Sequence, residues 1–305
     1  MRTLKKISIA VATYNGEKYI EEQLLSIYNQ SVKPFEVVII DDGSSDNTVY
    51  LTEKFISTYN LKNWQIIRNE ENLGFIKNFK KAISLTSGDI IFLCDQDDVW
   101  NNNKLKRISE IFENEKVCAV SSSFKAINSS GEVIKESQPQ NFGLISMPIN
   151  GTITKIPIKT VMHCNISPGC TSAFRREVAQ IYLENTKSVL PHDFEINLIA
   201  AARDGLFFIN EPLVYYRLHS SNTLGLNYKK QTRLEIAEEK LKAAEVLATA
   251  NSDCYKYLSV CTSRLEALKH HNFLKAIKLN FNMAYRTLYS FKERAGDLTY
   301  IVRGS

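Results

Sequence analysis

"DIIFLCDQDDVW", residues 89–100, runs an unbroken apolar segment into three carboxylates and an amide within four positions. A short, continuously apolar run of this kind reads as a β-strand covered on both faces. Groups just past the carboxyl end of such a strand stand where ligands collect in an open parallel sheet. Asp95, Asp97 and Asp98 repel one another when ionised, so some are protonated, some point apart, or a cation lies among them. A divalent cation is the simplest answer, because Mg²⁺ and Mn²⁺ take oxygen ligands and Mg²⁺ is commonly held by one or two carboxylates with phosphates and water completing its shell. The plain alternative is an Asp-rich turn that caps the following helix.

Upstream of this stretch the same strand pattern recurs. "ISIAVA" (7–12), "FEVVII" (35–40) and "WQII" (64–67) are short apolar runs. Between them the spacing turns helical: Ile20, Leu24, Ile27 and Tyr28 share one face, as do Ile76, Phe79 and Ile83. "GSSDNT" places Ser45 or Asp46 at the N-cap of a helix over 49–59. This alternation predicts an α/β fold with a parallel sheet. Farther on, "VCAVSSSF" (117–124) reads as a strand, "NSSGEV" and "SPGC" as turns, and "FFINEPLVYYRLH" (207–219) as one or two strands before the polar exit "SSNTLGLN".

Beyond about Tyr228 the chain becomes helical. The last helix is expected to carry Phe273, Ile277, Phe281, Ala284, Leu288 and Phe291 on one face and Lys275, Lys278, Asn282 and Arg286 on another. Its apolar face is expected to pack on the body of the protein; the sharper alternative rests its basic side on an anionic membrane.

A composition of 44% hydrophobic and 23% charged residues with net charge +5 suits a cytosolic globular protein better than a nucleic-acid binder, and leaves room for an anionic ligand. Six cysteines without a CxxC pair or a preceding secretory signal point to free thiols in a reducing compartment. His163, Cys164 and Cys170 lack a fourth metal ligand at sensible spacing and read as core residues. There is no run of 18 apolar residues to span a bilayer.

Two further strand ends converge on the acidic one. "VATYNGEKY" (11–19) and "IIDDGSSDNT" (39–48) both place polar and acidic groups directly after apolar runs. Tyr14 there can stack on a nucleobase and Asp42 can accept from a base N–H; the alternatives are a core tyrosine and an Asx-turn. Together, "VATYNGEKYIEEQLLSIYNQ", "EVVIIDDGSSDNT", "NLGFIKNF" and "FLCDQDDVW" resemble the nucleotide-sugar-binding half of glycosyltransferase family 2, which has the GT-A fold. "GCTSAFRRE", "LPHDFEINLIAA" and "EPLVYYRLHSSNTLG" resemble its branch containing rhamnosyltransferases of bacterial surface polysaccharide assembly. The resemblance covers roughly residues 5–225, so a GT-A domain over 1–225 and a helical C-terminal region over 226–305 are expected.

Carried over by position, the resemblance implies that Thr13, Tyr14 and Glu17 surround the nucleotide and that Asp42 reads a pyrimidine. Asn72, Gly74 and Lys77 fall in the loop after the third strand. Asp95 faces ribose, Asp97 holds Mn²⁺ or Mg²⁺, and Asp98 supports or caps. His219 completes the metal shell or meets the diphosphate, with Arg217 close by. The implied reaction is an inverting displacement in which the cation stabilises the departing diphosphate and a general base takes the acceptor proton. Asp193 is the expected base, although its place before "FEINLIAAA" also fits an N-cap; His192 and Glu195 are fallbacks. The resemblance implies dTDP-L-rhamnose as donor, with UDP-sugars also open, and a glycan or polyprenyl-linked acceptor.

Other classes fit less well. An apolar strand followed by D-x-D-x-V also opens haloacid-dehalogenase-like phosphatases, but there it stands near the chain start and is followed by a late acidic pair. "VATYNGEKY" is not the Gly-rich basic loop of a nucleotidyltransferase, and no G-x-G-x-x-G follows any expected strand, against a dehydrogenase. A non-catalytic nucleotide-sugar-binding subunit would share the site in decayed form.

Overall fold

The protein is described here by a computed structural model covering residues 5–134, 150–185, 190–219 and 231–303. The exit "SSNTLGLN" lies outside the described residues. The four expected strands form as β1 (Ile7–Thr13), β2 (Glu36–Asp41), β3 (Trp64–Arg68) and β4 (Ile90–Cys94). They alternate with α1 (Ile20–Tyr28), α2 (Thr48–Thr58) and α3 (Phe75–Ser84). The N-cap of α2 is Asn47, one residue beyond the expected positions, while the Asp46 carboxylate accepts from the Thr48 N–H at 3.0 Å.

Then follow β5 (Val99–Trp100), α4 (Lys104–Ile111), β6 (Ala119–Ile127), β7 (Ile153–Lys155) and α5 (Ile158–His163). After these come β8 (Ser172–Arg175), α6 (Arg176–Glu184), α7 (His192–Ala202) and β9 (Leu206–Arg217). The strands join in the order β3-β2-β1-β4-β8-β6-β9-β5, with β7 also on β9. β3, β2, β1 and β4 run parallel, β8 is antiparallel to β4 and to β6, and β6 and β9 are parallel. The stretch 207–219 thus contributes one strand, β9, whose register against β6 shifts around Ser123, opposite Pro212. A proline cannot donate to the ladder, so the pairing slips there instead of breaking into a hairpin.

Successive strand residues face opposite sides, and both sides are covered. Ile7, Ile9 and Val11 pack with Ile20, Leu24, Phe55 and Leu105 from α1, α2 and α4. Ala10, Val38, Ile91 and Leu93 pack with Phe79, Ile83, Val178 and Ile199 from α3, α6 and α7. All five residues of β4 are buried, as its unbroken apolar run requires.

The C-terminal region forms α8 (Arg233–Ala250), α9 (Tyr255–Lys269), α10 (Phe273–Asn280), α11 (Met283–Leu288) and α12 (Phe291–Arg303). The helix expected through 273–291 is three helices. Asn282 offers its side chain to the Tyr285 N–H at 3.2 Å and starts α11, and Ser290 with Glu293 does the same for α12. Asparagine and serine favour caps over helix interiors, and here they stop a continuous apolar stripe. All eleven residues of α7 are buried between the sheet and α8, so one apolar cluster runs from Ala10 to Ile301.

Candidate active site

With the order 3-2-1-4, successive crossovers leave β1 on opposite sides, so the crevice opens at the carboxyl ends of β1 and β4. Because β4, β6 and β9 all point the same way, His219 after β9 arrives at this edge, and the start of antiparallel β8 does too. Gln96 fastens the crevice: its side chain accepts from the Tyr14 N–H at 2.8 Å and donates to the Tyr14 carbonyl at 2.9 Å. This leaves the Tyr14 ring 48% exposed above the opening.

Val99 of β5 pairs with Tyr215 of β9, which draws the acidic turn onto the end of β9. There His219 Nε2 meets Asp97 Oδ2 at 2.8 Å, a contact between positions 122 residues apart. A carboxylate with an imidazole suits Mn²⁺ at least as well as Mg²⁺, which prefers oxygen throughout. The crowding beside this pair fits a cation as well. Burial and the charges of Asp98, Asp97 and Asp193 push the Asp95 carboxyl well above the usual range. Burial, then the Asp97 charge, pushes Asp98 up to about 7. Asp98 Oδ1 accepts from the Arg217 N–H at 2.9 Å, whereas its buried Oδ2 has no hydrogen-bond donor among the described residues.

A second grouping sits behind the first. Donor atoms of Asp95, Asp98 and Cys170 lie within 4.8 Å of one another. The Cys170 thiol is buried, and burial together with the two carboxylates pushes its pKa well up, so it stays a neutral S–H. Lys104, fully buried over the Trp100 ring, donates to the Cys170 carbonyl at 2.5 Å, and burial lowers its ammonium to about 8. A neutral thiol with a lysine behind it is a poor cation cage. His163 and Cys164 are elsewhere: His163 contacts the Leu288 carbonyl at 3.0 Å.

Arg217 lies deep in the fold beside His219. Its side chain is 1% exposed; it donates to the Asp97 and Asn128 carbonyls and to Glu22, and stacks on Tyr19. It buttresses the acidic turn from inside. Thr13 is also buried, donating to Asp41 at 3.1 Å. Glu17 accepts from Asn47 N and Nδ2 at the start of α2.

Asp42 organises the loop before α3. Its carboxylate accepts from Asn69 Nδ2, Leu73 N and Gly74 N at 2.8, 2.8 and 2.9 Å. A carboxylate has about four lone-pair sites, so most of the acceptor capacity of Asp42 is used within this loop. Asn72 ties the same loop by donating to the Asp42 carbonyl at 3.1 Å. Gly74 has φ +79°, a conformation L side chains rarely adopt, which explains glycine there. Lys77 is exposed in the first turn of α3.

Opposite the acidic turn stands the start of α7. Its N-cap is Pro191, so Asp193 lies one position inside the first turn instead of capping it. Asp193 Oδ1 accepts from Phe194 N at 2.9 Å and Oδ2 from Asn165 Nδ2 at 2.6 Å. Asn165 is itself fixed, its Oδ1 accepting from Ile166 N and Asn197 Nδ2 at 3.0 Å each. Gly169 lets this helix approach Cys170: a Cβ there would stand 3.0 Å from His192 Nε2 and 3.3 Å from Asp193 Cβ. Of the fallback bases, His192 is stacked on Phe79 at 4.0 Å with burial lowering its pKa, and Glu195 is buried, accepting from Asn185 at 2.7 Å.

Sequence reasoning missed Asn165, Gln96, Lys104 and Cys170 as site-builders. Asn165 precedes and Cys170 ends "SPGC", a turn signal that gave no hint of what the turn faces. Lys104 follows the acidic turn by six residues and reads as an ordinary helix surface position.

The profile described as Glycosyl transferase family 2 matches residues 8–182. The dTDP-rhamnosyl transferase RfbG of Shigella flexneri is 29% identical over 260 residues, covering 79% of this chain and 84% of that one. Among solved structures, S. aureus TarS 1-349 in complex with UDP superposes with TM-score 0.60 at 18% identity, over 98% of this chain and 92% of that one. The mannosyltransferase PcManGT from Pyrobaculum calidifontis, in complex with GDP-Man and Mn²⁺, does so with TM-score 0.54 at 19% identity, over 98% and 85%. These likenesses give the GT-A fold, and the match over more than half the chain sets aside the phosphatase reading: the chain belongs to glycosyl transferase family 2 and is a glycosyltransferase.

Proposed function

We propose that this glycosyltransferase moves L-rhamnose from dTDP-L-rhamnose, with inversion, to a hydroxyl of a glycan carried on a polyprenyl diphosphate. The observation that carries the site assignment is the 2.8 Å contact of Asp97 with His219, which joins two motifs 122 residues apart in the sequence. These two residues would hold Mn²⁺ or Mg²⁺, whose charge, when bound, offsets that of the departing diphosphate. Asp95 would face the ribose, and Tyr14, the residue left open above the crevice, would stack on the base. Asp193, held by Asn165, takes the acceptor proton from the side opposite the acidic turn. The likeness to RfbG supports the rhamnosyl donor. A UDP-sugar is the second reading, favoured by the 32% identity over 142 residues with the poly(ribitol-phosphate) β-N-acetylglucosaminyltransferase TarS of S. aureus.

Thermal-shift titration with dTDP-L-rhamnose and UDP-GlcNAc, each with Mn²⁺ and with EDTA, tests both, because a ligand that binds only the folded chain raises Tm by mass action. The expected result is a Tm rise with dTDP-L-rhamnose that EDTA abolishes. A rise with UDP-GlcNAc alone transfers the assignment to the second donor. The acceptor reading also places the C-terminal helices at the inner face of the plasma membrane.

A further inference from the structure

Breaking the expected helix into α10, α11 and α12 turns apolar side chains outward. Phe281 and Met283 are each 83% exposed, Phe291 77% and Leu274 72%. Leu274, Ile277 and Phe281 follow helical 3-4 spacing on one face of α10. Phe281 and Met283 flank Asn282 at the turn into α11. Arg294 of α12 donates to Asn280 Oδ1 at 3.1 Å and lies 5.8 Å from the Phe291 ring, bringing Phe291 to the same turn. The three most exposed of these side chains therefore gather at one corner of the bundle.

The exposed charge of residues 273–303 is basic, with Lys275 paired to Glu266 of α9. Residues 273–303 carry Lys275, Lys278, Arg286, Lys292, Arg294 and Arg303 against Glu293 and Asp297. Both acids are engaged inward: Glu293 with Lys240 and Ser290, Asp297 with Arg264, Arg233 and Tyr285. Lys278, Arg286 and Lys292 are exposed. A second copy of the chain pairing through this corner would oppose these cations to their own images. An anionic bilayer would satisfy them and cover the apolar residues together.

We infer that this corner is a membrane-docking wedge, with Phe281, Met283, Phe291 and Leu274 entering the acyl boundary of an anionic bilayer and Lys278, Arg286 and Lys292 at the headgroups. This deepens the membrane contact of the proposed function and reverses its expected orientation, because the apolar side faces out. The wedge lies a short distance from the site: α11 contacts His163 through the Leu288 carbonyl, and two residues on Asn165 holds Asp193.

Co-sedimentation with vesicles of phosphatidylcholine alone and of phosphatidylcholine with phosphatidylglycerol tests the inference on the full chain. The wild type is expected to bind the anionic vesicles in a salt-sensitive way and to leave the neutral ones. Joint replacement Phe281→Ser, Met283→Ser and Phe291→Ser, and separately Lys278→Glu, Arg286→Glu and Lys292→Glu, should each weaken binding by about tenfold or more. Neither set touches the site, so donor-induced Tm shifts measured without vesicles should stay as in the wild type; absence of those shifts in the wild type would sink the proposed donors and leave the wedge standing. Absence of wild-type binding, or undiminished binding by the serine variant, would overturn the wedge. So would a wild-type dimer, by sedimentation velocity, that the serine variant reduces to monomer.

Discussion

Asp97 and Asp193 touch different groups, which lets their roles be separated one side chain at a time. Asp97→Asn keeps the shape beside His219 but removes the charge a cation needs. It is expected to abolish the Mn²⁺ dependence of transfer, and nearly all transfer with it, while the Tm without metal changes little; turnover with a normal metal response would remove Asp97 from the site. Asp193→Asn should retain donor binding and lose about 10² to 10⁴ in kcat, the usual worth of a general base. Under the proposed assignment Asn165 positions Asp193, to which its amide donates at 2.6 Å. Asn165→Ala should lower kcat with KM for the donor unchanged, a split that a general loss of structure would not give. Asp95, Asp97 and Asp193 were legible in the sequence as acidic groups at element ends. For Arg217 the sequence gives its place beside His219 but not its direction, and the guanidinium reaches Glu22.

Among the elements, the helical bundle stores the clearest electrostatic commitment. Asp297 is buried, and although burial alone would raise its pKa, hydrogen bonds and charge from Arg264, with Tyr285 and Arg233, hold it below the usual carboxylate range. A carboxylate with a depressed folded pKa contributes stability that is present above its unfolded value of about 3.9 and is lost as pH falls through the folded one. Thermal unfolding should therefore show a fall in Tm below about pH 4. Asp297→Asn should cost about 3–5 kcal/mol at neutral pH, since it strands Arg264, and should flatten that acid fall. The cap of α11 is a smaller lever: Asn282→Ala should cost about 1 kcal/mol in chemical denaturation. The strands β1 to β4 were readable because each is buried on both faces and so continuously apolar. The 273–291 segment was misread because apolar spacing continues across Asn282 and Ser290, and only the cap hydrogen bonds reveal the breaks.

For the whole molecule, the division at about residue 225 marks a change of pattern that the core does not respect. α7 has no exposed residue, and its outer side is covered by α8. A chain ending at residue 230 should therefore expose apolar α7 and lose the clamp on His163, giving an aggregated product or a much lowered Tm by circular dichroism; a soluble fragment with wild-type stability would show that 1–225 folds alone. The sequence by itself determined the alternating strands and helices, the edge on which the site lies and the acidic residues on it, because burial on both faces and chain direction are written in local pattern. Only the tertiary structure decided which of those residues meet. The pairing of β5 with β9 brings Asp97 to His219, the reversed β8 brings Cys170 to Asp95 and Asp98, and the bare Gly169 admits Asp193. Such contacts span as many as 122 residues, and no local periodicity records them.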